Sequence, residues 1–177
     1  MVFTHDTEMA LQSAVIMANS ALEPDTLTAV ADLDAIWDEF AYSGRHDRTT
    51  AELDAVRAIR GRLRDLLTSD RNAAVDLVNA WLADAGAVPQ LVKHDALDWH
   101  IHAIDLDAPL ADRIIVETAM AMVDVIRADE MSRLAICADD TCDGIVLDLS
   151  RNRSRRFCST TCGNRNAVAA YRARQQA

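Results

Sequence analysis

Cys137-Ala138-Asp139-Asp140-Thr141-Cys142 and, after fifteen intervening residues, Cys158-Ser159-Thr160-Thr161-Cys162 contain every cysteine of this chain. Two close pairs joined by a short loop let four thiolates converge on one point. Tetrahedral Zn²⁺, with sulfur ligands at about 2.3 Å, requires that convergence. The spacing predicts one structural Zn²⁺ per chain, held by Cys137, Cys142, Cys158 and Cys162. A catalytic zinc keeps an open fourth position, and four thiolates close it. A dithiol redox switch would use such pairs too, but would not call for the arginines that surround them.

Those arginines are the next signal. Arg151, Arg153, Arg155, Arg156, Arg165, Arg172 and Arg174 lie between and after the pairs, and residues 151–177 contain no Asp or Glu. Eleven of the 18 basic residues and all 28 acids fall in 1–150, so the front carries −17 and the tail +7 within a net −10. A mean pI near 4.8 does not exclude a nucleic-acid partner, because binding follows the local face presented. The plainer reading is a solvated basic end on an acidic, soluble body. The link to a rigid metal site favours function. Loop arginines Arg151 to Arg156 suit phosphate, which guanidinium grips through two parallel hydrogen bonds. Arg165 and Arg172, seven apart on a helix, share a flank. Arg165 with Asn164 or Asn166 has the donor types that read guanine or adenine edges. The same groups would equally serve to brace the knuckle's own backbone, and both readings stand at this point. The expected contacts to duplex DNA are Arg151, Arg153, Arg155, Arg156, Asn164, Arg165, Arg172 and Arg174.

Around the ligands, Gly144 is expected to supply an unusual backbone angle, and Ile145, Leu147 and Leu149 alternate as a short strand. Ser159 predicts a cap for a helix that contains Cys162 and runs to about Arg174. Its stripe of Asn164, Ala167, Val168 and Tyr171 is expected to pack on the zinc core. Changing one ligand is expected to unfold this finger and leave the rest intact.

Upstream, the chain reads as mainly α with a small β component. Helical spacing predicts Glu8 to Leu22, then a helix capped at Asp25 or Thr26 and stopped by Gly44, and a third opening at Thr49 or Thr50. The third buries Leu53, Val56, Ile59, Leu63, Leu66 and Leu67 and turns Arg57, Arg60 and Arg64 to solvent. Asp70 caps a fourth, closing at Gly86 and Pro89. Ala96 to Ile104 alternates as a half-buried strand, with Leu97, Trp99, Ile101 and Ala103 inward and Asp98, His100 and His102 outward. Asp107 with Pro109 opens a long helix to about Ala128. His100 and His102 would be able to chelate a metal, with His94 and His46 joining in space, but a polar strand face is the simpler reading. Trp37, Trp81 and Trp99 are read as core or dimer contacts. No Ser/His/Asp set, phosphate loop or paired carboxylates suggest an enzyme, and none is expected. The opening residues lack a basic signal-peptide pattern, and no apolar run approaches the roughly 20 residues of a membrane helix. The expected setting is cytoplasmic, on the nucleoid when DNA-bound.

Cys162-Gly163-Asn164-Arg165, preceded by Ser154-Arg155-Arg156-Phe157-Cys158-Ser159 and followed by Ala169-Ala170-Tyr171-Arg172-Ala173-Arg174, resembles the CGNR zinc-finger family. Members typically join this finger to an N-terminal ABATE domain, and Ala14 to Ala21 with Asn19 is similar to that domain's opening segment. The resemblance implies a bacterial transcription regulator, stress-induced or ligand-responsive. It divides the chain into an ABATE-like helical body, 1–133, for dimerisation or sensing of a small-molecule effector, and a four-cysteine zinc finger, 134–177, for duplex DNA. A zinc-stabilised protein-interaction adaptor and an RNA-binding protein are the alternatives. Single-strand recognition would want exposed stacking aromatics, of which the finger offers Phe157 and Tyr171.

Overall fold

The computed structural model describes residues 2–93 and 98–175. Five helices build the body: α1 (His5–Asn19), α2 (Val30–Glu39), α3 (Thr50–Thr68), α4 (Arg71–Asp84) and α5 (Leu110–Arg127). Two short antiparallel hairpins flank them, β1 (Gln90–Val92) with β2 (His100–His102) and β3 (Leu134–Ile136) with β4 (Ile145–Leu147). A last helix, α6 (Thr160–Gln175), leaves the second hairpin. The mainly α reading with a small β component holds.

α5 is the central element, packed on α1, α3 and α4. Its sequence is apolar on most sides, and Ile114, Val116, Ala119, Met122 and Val125 are almost wholly enclosed. Pro109 precedes its first turn, where a missing N–H costs nothing. Leu11 of α1 and Leu53, Val56, Leu63, Leu66 and Leu67 of α3 complete the core. Each such side chain contributes about 1.5–3 kcal/mol of burial. Thr49 and Asp70 cap α3 and α4 as expected, accepting from Glu52 N and from Asn72 N and Ala73 N. Trp81 is core, while Trp37 is half-buried between the His46 ring and the Arg113 guanidinium.

Three expectations fail for identifiable reasons. α2 starts at Val30 because Asp25 is taken elsewhere: its carboxylate receives both Nη atoms of Arg60 at 2.9 Å. Asp32 closes the helix entry instead, accepting from Thr28 N and Ala29 N. The arginine row of α3 is therefore not a solvated face. Arg60 is buried against Asp25, and Arg64 donates to the Asp143 carbonyl at 2.6 Å. Thirdly, the first hairpin is turned over. His100 is 9% exposed, whereas Trp99 and Ile101 are 66% and 43% exposed. The body presents carboxylates there, with Glu117 Oε1 3.8 Å from His102 Nδ1, so the polar side of the strand faces inward. Ala103, past the strand, is buried as expected. Ala96, Leu97 and His94 lie outside the described residues. His46 does not join the histidine pair, since its ring nitrogens meet Asp34 at 2.7 Å and Glu52 at 2.8 Å.

The second hairpin rests directly on the body. Ile145 and Leu147 of β4 enter the helical core, while Val146 faces the cysteines. Asn19 at the end of α1 clasps β4 as a strand neighbour would. Its amide donates to Ile145 O at 2.9 Å and accepts from Ile145 N at 2.7 Å. Arg133 ties off the far end of the hairpin, donating to the carbonyls of Asp148 and Ser150.

Candidate metal centre and its arginine-rich surround

β3, β4 and the start of α6 carry the four cysteines to one place. Each supplies an Sγ, and all four lie within 4.8 Å of one another. The Cys142–Cys158 and Cys158–Cys162 sulfur separations are 3.5 and 3.8 Å. A tetrahedron with bonds of about 2.3 Å has edges of about 3.8 Å, so the cluster fits Zn²⁺. All four are free thiols, and sulfurs this far apart are not bonded. Burial pushes the Cys158 thiol up to about 12, so a cation that binds there displaces its proton. The site is a closed set of four cysteines and holds one structural zinc ion.

Local structure prepares the ligands. Ser159 Oγ accepts from Cys162 N at 3.2 Å, capping α6 as its sequence predicts. Backbone N–H groups of Gly144 and Cys158 point at Cys142 Sγ and Cys137 Sγ, each at 3.4 Å. Gly144 has an ordinary backbone angle, contrary to expectation. It is required for space, because a Cβ there would sit 2.7 Å from Cys158 Sγ and 3.3 Å from Cys142 Sγ.

Asp139, which sequence reading passed over, organises the knuckle. Its buried carboxylate accepts from Thr141 N and Oγ1 through one oxygen, and from Arg165 Nε and Asn166 Nδ2 through the other, both at 2.7 Å. The Arg165 hydrogen bond, with those from Thr141, holds its acid well below the usual carboxylate range. Arg165 also reaches Cys162 Sγ at 3.5 Å. Four thiolates around Zn²⁺ carry a net −2, and a guanidinium against one sulfur offsets part of it. The signal was available: an acid two residues after the first cysteine, in a turn where its side chain bonds residue i+2.

The remaining arginines divide into two groups. Arg153, at a left-handed φ of +48°, pairs with Glu130 at 2.8 Å. Arg155 folds back on the carbonyls of Phe157 and Cys158. Arg156 lies 5.9 Å from the Phe157 ring and is otherwise exposed. Arg151, Asn164, Arg172 and Arg174 are exposed and make no hydrogen bond or ion pair through their side chains among the described residues. The stripe on α6 does not pack on the zinc core: Val168 is 47% and Tyr171 58% exposed. Only the first turns of the helix touch the knuckle, through Cys162, through Arg165 and Asn166 on Asp139, and through Gly163 beneath Phe157. Beyond Asn166 the helix stands clear of its own chain.

Two family profiles match this architecture. The profile of the ABATE family, described as "Putative stress-induced transcription regulator", matches residues 13–129. The CGNR zinc finger profile matches residues 133–175. Neither describes an enzyme. No curated protein matches the chain. Among the described residues no helix is long and apolar enough to cross a membrane.

Proposed function

The chain belongs to the ABATE family and ends in a CGNR zinc finger, and from that premise we propose a zinc-dependent regulator whose finger binds duplex DNA. The observation that carries this reading is α6. A helix that leaves a metal-stapled knuckle, is exposed beyond Asn166 and carries Arg172 and Arg174 has the dimensions to enter a major groove. Arg151 and Arg156 on the adjoining loop extend the basic face and suit the flanking phosphates. Arg153 and Arg155 belong to the same loop and first exchange their internal partners. Asn164 is exposed where a base edge would approach. Arg165 contributes mainly by holding the knuckle rigid, since Asp139 and Cys162 already engage two of its three nitrogens.

The body, residues 1–133, carries −13 and repels DNA, so the finger must face the duplex and the body point away. The protein acts in the cytoplasm, on the nucleoid when DNA-bound. One finger offers few base contacts, and we take the active species to be a homodimer assembled through the body. Leu91 and Ile101 sit opposite each other on the first hairpin, beside Trp99, and form an exposed apolar face that supports this. A small-molecule effector sensed by the body completes the reading. One observation favours a second one. Exposed Val168 and Tyr171 on α6 would suit an acidic protein partner in an adaptor.

Titrating the full chain into labelled duplex pools separates them. A DNA regulator retains selected sequences against excess random duplex, and its affinity falls steeply with salt. An adaptor shows no sequence that survives competition.

A further inference from the structure

The helical body contains a cavity of about 220 Å³ between α1, α5, β2 and the chain following α2. An apolar hole of roughly 150 Å³ admits a benzene ring, so this one has room for a ring with a short chain. Met9, Phe40, Met120 and Val123 supply apolar wall. Glu117 supplies the exception. Its carboxylate, about a fifth exposed, makes no hydrogen bond among the described residues, and His102 Nδ1 stands 3.8 Å away. Arg113, one turn back on α5, does not pair with it. That guanidinium is spent on the carbonyls of Ser43, Arg45 and Ala108. Of the other two carboxylates of the wall, Asp124 accepts from the Thr7 hydroxyl at 2.7 Å, and against burial, polar groups of Thr4, Thr7 and Ile101 hold the Asp6 acid below its ordinary range.

We propose that this cavity binds a small amine, an apolar ring-sized body whose protonated nitrogen pairs with Glu117. Three carboxylates face the cavity against Arg127 at the wall and the histidines of β2. An anion would meet those carboxylates. A neutral apolar guest would leave the Glu117 carboxylate with the His102 ring at 3.8 Å and no hydrogen-bond donor among the described residues, whereas an ammonium group supplies a direct charge-assisted hydrogen bond. Burial pushes Glu117 up to about 7, against the opposing charge of Arg113. The site also has a route to the finger. α1 lines the cavity with Asp6 to Ala10 and grips β4 with Asn19 at its other end. Filling the cavity thus loads the helix on which the zinc hairpin hangs. This deepens the effector reading above and rests on it only for the regulatory consequence.

The test is calorimetric titration of the zinc-loaded full chain, without DNA, at pH 8. The probes are phenethylamine, its neutral isostere 2-phenylethanol and the anion 3-phenylpropanoate. The amine is expected to bind at least about tenfold tighter than the alcohol, and the anion not at all. Glu117→Gln should bring the amine level with the alcohol, and Ala10→Phe, which fills the cavity and leaves the carboxylate, should abolish both. The proposal is overturned by no saturable heat from millimolar phenethylamine, by undiminished amine binding in either variant, or by tighter binding of the anion. A chain that binds the amine but no duplex DNA keeps this site and loses the DNA reading; the reverse result overturns this one.

Discussion

Arg165 shows how one side chain of the named tetrad serves the metal. Its Nε lies 2.7 Å from Asp139 and a terminal nitrogen 3.5 Å from Cys162 Sγ. It joins a carboxylate in the first turn of the knuckle to a ligand in the last element. Groups that orient ligands from outside the coordination sphere typically change metal affinity by about 10–100-fold when removed. Arg165→Ala is therefore expected to lose zinc to a competing chelator at concentrations the parent chain withstands, with a loss of about that size. Asp139→Asn should shift the same way, since it gives up the charge that Arg165 meets. If Arg165→Ala keeps its zinc and instead loses discrimination among DNA sequences, the bracing account fails and base reading replaces it.

α6 and α3 make separable predictions at the scale of elements. Arg172 and Arg174 project from the part of α6 that stands free, so changing either to Ala should leave zinc content and folding unchanged. Each phosphate contact adds about 0.9 to the slope of log affinity against log salt. Arg151→Ala or Arg156→Ala should flatten the slope by about that much and weaken all sequences alike, whereas Arg172→Ala should relax preference at one base position. An unaltered slope would remove that loop arginine from the interface. On α3, Arg60 holds Asp25 through two hydrogen bonds and lowers its acid to about 2 from an ordinary 3.8. A carboxyl whose folded value lies below its unfolded one adds stability above about pH 4, and that contribution is lost as pH falls toward 2. Asp25→Asn should accordingly unfold more readily at neutral pH and show a shallower acid limb between pH 4 and 2. Denaturant midpoints measured across that range check it; parallel curves for parent and variant would contradict it.

The molecule as a whole joins two folding units through a shared core. Ile145 and Leu147 lie between two zinc-ligand pairs in sequence yet pack among the helices, and Asn19 and Arg64 hold the same hairpin from α1 and α3. Loss of the metal is thus expected to reach the body. Chelation should lower the melting temperature of the main helical transition instead of removing a separate, earlier one. Asn19→Ala should uncouple the two, so that the metal-free variant melts in two steps. A single unshifted helical melt after zinc removal would show that β4 stays seated without metal, in line with the independence that paired cysteines in a small module suggest. Periodicity and spacing were enough to locate α1, α3, α4 and α5, the zinc set and the start of α6, because each depends on local repeat, capping or ligand spacing. What α6 packs against, which face of β2 turns inward, why position 144 is glycine and where Arg60 and Arg64 point were decided in three dimensions. Each of these depends on groups carried by another element, beyond the reach of any local repeat. Asp25 beneath Arg60 and Asp139 beneath Arg165 are charges meeting across the fold, and linear sequence carries no measure of that distance.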